Sequence, residues 1–261
     1  VGSEMCIRDS IVATRHAAQE TGIQLFDIAD ADQGIVHVIS PELGIALPGL
    51  SLICPDSHTC TLGGLGALAW GVGSTEAEHA LATSTLRVTR PQTMRVSFAG
   101  LLGEGVSAKD LILFTIRELS ASGGAGYAIE FAGPAIDALP VEARLTLCNM
   151  TTELSAFTGL IAADRKVLDY CAGRRYAPQG ELWDQAAQHW QSLRSDEGAA
   201  FDQEHSFEVG SLKPQLSWGT SPQHCVDWDD AIPHASDAPD ASASAAWRRA
   251  QDYMGVTPGS Q

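Results

Sequence analysis

Short apolar runs alternate with helix-periodic segments over residues 50–171, and no other feature of the sequence constrains the fold as strongly. Leu50 to Cys54 (LSLIC), Thr93 to Ala99 and Tyr127 to Phe131 read as strands. Ser74 to Ser84, Asp110 to Leu119, Pro140 to Cys148 and Asp164 to Cys171 read as helices. Such alternation predicts an α/β fold with a largely parallel sheet. Ser107 and Asp110 have the spacing of a capping box, so a helix starts there. Ser74 or Thr75 is the expected N-cap of the preceding helix. Residues 63–73 (GGLGALAWGVG) are small and apolar. Each glycine there costs a helix about 1 kcal/mol against Ala. The segment therefore reads as a buried helix whose backbone is closely approached by its neighbours.

Outside that region the signals are weaker. Residues 11–22 read as a helix ended by Gly22, Ile23 to Ile28 as a short strand, and Asp30 to Pro48 as loop. Leu182 to Leu193 is amphipathic, and His205–Val209 and Gln215–Trp218 are strand-like. Residues 230–245, rich in Ala, Asp, Ser and Pro, read as a linker before a last helix, Ala245 to Met254. The first ten residues, VGSEMCIRDS, lack an initiating Met and do not extend the pattern after them. They read as a translated artefact or tag, and the two ends together suggest a fragment of a longer reading frame.

Charge and cysteine usage narrow the function. The 261 residues carry 16 Lys and Arg against 32 Asp and Glu, a net charge of −16. That balance argues against nucleic-acid and polybasic membrane-surface partners. No apolar run is long enough to span a bilayer. Six cysteines, at 6, 54, 60, 148, 171 and 225, are scattered with no C-x-x-C pair. They look like reduced cytosolic thiols, which points to the cytoplasm, and not like a disulfide framework or a metal motif.

Four constellations could carry chemistry. Asp56-Ser57-His58 follows the strand LSLIC directly, the usual place for a site in an open α/β sheet. It supplies an acid/base group, a hydroxyl and an orienting carboxylate, or else a plain polar turn. His37, in QGIVHVIS, is a catalytic candidate or a satisfied core histidine. Glu153, after the block Cys148-Asn-Met, could pair with a histidine and tune it, or simply sit in a helix's first turn. His79 reads best as part of a solvated helix face. A zinc site on His37, Asp56 and His58 has tolerable spacing but lacks a helical ligand pair.

Taken together, QGIVHVISPELGIALPG, CPDSHTCTLGGLGALAWGVGSTEAEHALAT and TLCNMTTELSAFTG resemble the aconitase superfamily. Within it they resemble the large subunits of the dehydratases acting on 3-isopropylmalate. Gly173-Arg-Arg-Tyr-Ala-Pro178, SDEGAAFD (195–202) and SWGTSP (217–222) follow in the same order. The resemblance runs from about residue 11 to 258. It implies α/β/α three-layer domains: most of a first over 11–97, a second over 98–212, and over 213–261 a linker and the start of a third. It implies reversible dehydration of a hydroxy-dicarboxylate in leucine biosynthesis, a [4Fe–4S] cluster, and a separate small subunit as partner. By resemblance His37 and Asp56 form one His–carboxylate pair and His58 and Glu153 a second. Ser57 and Asn149 sit in the surrounding hydrogen-bond network, near substrate or cluster.

The sequence departs from the family in four places. The family's cluster cysteines, expected downstream, have no counterpart here, so no metal ligand is assigned and the chain alone is expected to be inactive. The upstream Asp-His motif and the C-terminal substrate-binding arginines are also missing. TTELSAF replaces a Gly-Ala-rich stretch, which leaves two other readings open. One is a paralogous hydratase of a methylmalate-, dimethylmalate- or aconitate-type acid. The other is a non-catalytic remnant or interaction module.

Overall fold

The computed structural model describes residues 2–260, with side chains from Arg8 onward; Cys6 lies outside the described side chains. Helix α1 runs Gly2–Thr21, through most of the segment set aside as extraneous. Helix α2, Val36–Leu43, follows. Strand β1 (Ser51–Cys54) and strand β2 (Leu68–Gly71) pair in parallel, joined by a 3-10 segment over Ser57–Leu65. Helix α3 is Ser74–Thr83.

The main sheet is built by strand β3 (Gln92–Ala99), helix α4 (Ala108–Leu119) and strand β4 (Tyr127–Ala132). Helices α5 (Pro134–Ala138) and α6 (Val141–Asn149), with a 3-10 turn over Met150–Leu154, lead to strand β5 (Thr158–Leu160). Helices α7 (Arg165–Cys171) and α8 (Glu181–Gln191) return the chain to strand β6 (Gln203–Glu208). The strand order is β5-β4-β3-β6, and every pairing is parallel. The architecture is thus α/β with a parallel sheet, as the alternation implied.

Residues alternate along β3 as a strand's period of two requires: Met94, Val96 and Phe98 are fully buried. They pack with Leu111, Ile112 and Ile116 of α4 and Leu147 of α6. The other face is polar. There Arg95 lies 3.5 Å from Glu130, and Ser195 bonds to Glu130. A second core joins Leu62 and Leu65 to Val141, Val167, Leu168 and Trp190. Two hydrogen bonds tie the small sheet to the large one. Thr158 Oγ1 donates to Ala69 O at 2.6 Å, and Ile161 N–H donates to Gly63 O at 3.0 Å. Past residue 212, strands β7 (Gln215–Ser217) and β8 (Cys225–Asp227) form an antiparallel hairpin beside helix α9 (Ala241–Met254).

Several local expectations are corrected. The buried-helix reading of 63–73 holds only to Leu65; Gly66, at φ +81°, ends the 3-10 turns and the chain continues as β2. Ile23 to Ile28 is not a strand: Ile23 and Ile28 are more than half exposed, with no sheet to join. His37, expected in a loop, lies on α2. The N-cap of α3 is Gly73, whose N–H donates to Glu76 Oε2 at 2.8 Å. Part of the expected linker, from Ala241, is already α9. Strand β3 runs Gln92–Ala99, so the large sheet starts at Gln92.

Candidate active site

The polar turn after β1 is set by its own side chains. Asp56 is the N-cap of the 3-10 segment, and its Oδ1 accepts from the His58 N–H at 2.8 Å. Thr59 Oγ1 donates to Asp56 O at 2.7 Å, and Thr61 Oγ1 donates to His58 O at 2.6 Å. Both threonines are buried. These short-range bonds give the turn one conformation and aim three consecutive side chains.

Glycines bring the rest of the protein up to that turn. A Cβ on Gly63 would lie 1.7 Å from Gly159 O. One on Gly64 would lie 2.7 Å from Leu145 N, and one on Gly71 2.5 Å from Asp56 O. Hydrogen replaces a side chain at each position so that α6, β5 and β2 can touch the turn's backbone. Arg144, buried in α6, donates to Asp164 Oδ2 at 2.6 Å and to Leu139 O at 3.2 Å. Burial alone would raise the Asp164 carboxyl. The hydrogen bond and charge of Arg144 outweigh it and hold that group below the usual carboxylate value.

Four residues far apart in sequence converge at this point. His37 Nε2 is 3.2 Å from Asp56 Oδ1, and His58 Nε2 is 3.4 Å from Glu153 Oε1. His58 Nδ1 bonds Ser57 Oγ at 3.1 Å and lies 3.8 Å from Asp56 Oδ1. The two imidazole centroids are 6.5 Å apart. Both expected His–carboxylate pairs are therefore in contact, and Asp56 stands between the two rings. The four come from α2, the turn after β1, and the 3-10 turn after α6. His37 is only 11% exposed, whereas His58 and Glu153 are about one-third exposed and open to a ligand.

Asn149 does not reach the imidazoles. Its Nδ2 donates to Thr61 Oγ1 at 2.8 Å, completing a chain from α6 through Thr61 to the His58 carbonyl. Thr59 and Thr61 thus belong to the site, although the sequence analysis named neither as a site residue and they entered it only within the block CPDSHTCT. His79 lies on α3, as expected of a solvated face. A cavity of about 640 Å³ opens beside the turn, touching Asp56, Ser57 and Thr152.

The described thiols do not fit a metal cluster. Among the described residues no three His, Cys, Asp or Glu side chains are arranged to hold a metal, and this includes His37, Asp56 and His58. Burial pushes the Cys60 and Cys171 thiols up to about 11, and Cys148 is also raised well above its ordinary value. Buried thiols of this kind stay protonated, and the thiolate is the form that binds metal.

A family model described as the aconitase family (aconitate hydratase) matches residues 5–261. The chain belongs to the aconitase family. Among curated relatives, "3-isopropylmalate dehydratase large subunit 1" of Bradyrhizobium diazoefficiens is 52% identical over 252 residues. The match covers 97% of this chain and 53% of that relative, so the chain spans about half of the relative's length. Among the described residues no helix is long and apolar enough to cross a membrane.

Proposed function

We propose that the complete protein is the large subunit of a 3-isopropylmalate dehydratase. This hydro-lyase interconverts 2- and 3-isopropylmalate by dehydration and rehydration in leucine biosynthesis, in the cytoplasm. The observation that carries the reading is the convergence of the His37–Asp56 and His58–Glu153 pairs in a chain 52% identical to a protein of that name. A small subunit is the proposed partner. The family's iron–sulfur cluster is assigned to cysteines outside these 261 residues, since the thiols described do not fit it.

Dehydration breaks a C–O bond and the C–H bond on the adjacent carbon. The C–H electron pair forms the double bond, and its proton leaves to a base outside the His58–Glu153 pair. Hydroxide is a poor leaving group unless it is protonated. His58 is the group placed to hold that proton. Ser57 Oγ engages its Nδ1 and Glu153 its Nε2, so the ring is fixed at both nitrogens. Glu153 stabilises the imidazolium, and a cationic His58 can then deliver a proton to the departing oxygen. In hydration the same ring takes the proton back from water. His37, buried and held by Asp56, fixes the carboxylate that lies between the rings. Contacts of 3.2 and 3.4 Å are long for hydrogen bonds, and catalytic contacts commonly tighten when substrate binds.

The test is turnover by the complete, cluster-loaded protein with its small subunit, followed by the ultraviolet absorbance of the unsaturated acid. The wild type is expected to dehydrate 3-isopropylmalate, and the 261-residue chain alone to give no turnover. His58→Asn and Glu153→Gln should each lower kcat by about 10² or more. Turnover of a different hydroxy acid alone would assign the protein to a paralogous hydratase. No turnover of any hydroxy acid by loaded enzyme would leave the remnant reading.

A further inference from the structure

The cavity beside the catalytic turn combines two chemistries. Its apolar wall is made by Trp70 of β2 and Phe157, whose rings lie 5.2 Å apart and 32° from coplanar. Its cation is Arg87, from the irregular segment between α3 and β3. Glu76 also lines the cavity, but its carboxylate is engaged by the Gly73 N–H. Arg87 makes no ion pair among the described residues, in a chain whose net charge is −16. Asp56 and Ser57 border the same space, so whatever fills it meets the proposed catalytic turn.

An exposed guanidinium that borders the cavity, with no ion pair among the described residues, matches a planar carboxylate ligand. An apolar wall in the same cavity matches an aliphatic branch. We propose that Arg87 binds one carboxylate of an alkyl-substituted hydroxy-dicarboxylate while Trp70 and Phe157 receive its alkyl branch. The proposal rests on the dehydratase reading and extends it to substrate selection. It also gives a role to the departure TTELSAF, because Phe157 is the last residue of that segment. Burying each further methylene of the branch against this wall is expected to strengthen binding about fourfold.

The test uses the complete protein with its small subunit. KM and kcat are measured for malates carrying no branch, a methyl branch and an isopropyl branch, and 3-isopropylmalate and malate are titrated at equilibrium. Arg87→Gln should raise KM about tenfold or more for all three acids with little change in kcat, and Arg87→Lys should recover part of the loss. Phe157→Ala, with Phe157→Leu as the milder variant, should flatten the preference for the isopropyl over the methyl branch at least threefold. If the wild type turns over these acids but KM and branch preference stay unchanged in the variants, the subsite falls and the dehydratase reading stands. If the wild type turns over none of them while Arg87→Gln still weakens 3-isopropylmalate binding, the dehydratase reading falls and the subsite stands. Equal binding by wild type and Arg87→Gln overturns the subsite in every case.

Discussion

The Ser57–Leu65 segment and α1 are both helical, yet they are held by opposite means. Thr59 through Leu65 are all buried, although four of those seven residues are threonines or glycines. None of the described side chains of α1 is buried, and Arg15 Nε donates to Asp27 Oδ2 at 2.7 Å. The short segment is fixed by backbone-to-backbone approach and by two threonine bonds. The long one has the regular shape of a helix, and its described side chains are exposed or half-buried. Side-chain precision in this molecule therefore comes from close backbone contact, not from helix length.

The largest effect that would sharpen this contrast lies behind the proposed catalytic turn. Arg144 is 1% exposed and bonded to Asp164, which clamps α6, the helix packed on the turn, to α7. Asp164→Ala leaves that guanidinium buried without its counter-charge. The expected cost is about 3 kcal/mol or more, read as a lower midpoint in urea unfolding. The pH dependence has a definite sign. Because the folded-state value of Asp164 is depressed, its contribution is present above the ordinary carboxylate value. It is lost as pH falls through the folded value. Acid unfolding of wild type should therefore show a loss in that range that Asp164→Ala lacks. Equal acid profiles would show that the clamp is electrostatically silent.

Next in size is Gly63→Ala. The added methyl would meet Gly159 O at 1.7 Å, and both partners are backbone, so neither can swing away. Overpacking of this kind costs about 3 kcal/mol. The turn should also shift, which separates His58 from Glu153. A Gly63→Ala protein with unchanged stability would break the argument that backbone approach builds the site.

Thr61→Val tests the finer layer of the same construction. It keeps the shape of the side chain and removes the donor to His58 O and the acceptor for Asn149 Nδ2. Leaving those buried groups unpaired should cost about 1–2 kcal/mol. The nitrogen resonances of the His58 ring should move as its contact with Glu153 loosens, and Thr61→Ser should restore them. A loss of stability with unmoved His58 resonances would reduce Thr61 to a packing residue.

How much of this was legible in the sequence depends on which forces acted locally. The β3 strand, the α4 helix and its Ser107–Asp110 capping box follow from periodicity and short-range bonds. All three stand in the structure nearly as read. The GGLGALAWGVG stretch shows burial and close approach plainly, because only those tolerate so many glycines. It does not show that Gly66 turns the chain into a strand, since β2 exists only by pairing with β1. Strand β5 is three residues long and owes its place to β4. His37, Asp56, His58 and Glu153 were each ambiguous alone. Their convergence is a property of three separate elements and became readable only through the family resemblance. Thr59 and Thr61 lie inside the block that carries the resemblance, but their hydrogen bonds to Asp56 O and His58 O are set by a three-dimensional turn that one-dimensional spacing does not encode.

The smallest effect belongs to the other side of the comparison. Gly22, at φ +71°, ends α1, and an added Cβ there would meet nothing within 4 Å. Gly22→Ala therefore pays only the left-handed backbone strain, about 1 kcal/mol, with no steric contact to add. Fraying of the last turn of α1 would relieve part of even that strain, because none of the helix's described side chains is buried. The urea midpoint should move slightly or not at all, and the His58 resonances should stay where they are. The paired measurement with Gly63→Ala is the informative one, since both change a glycine to the same residue next to a helical segment. A Gly22→Ala effect as large as that of Gly63→Ala would mean that α1 is coupled to the core through contacts its exposed side chains do not show.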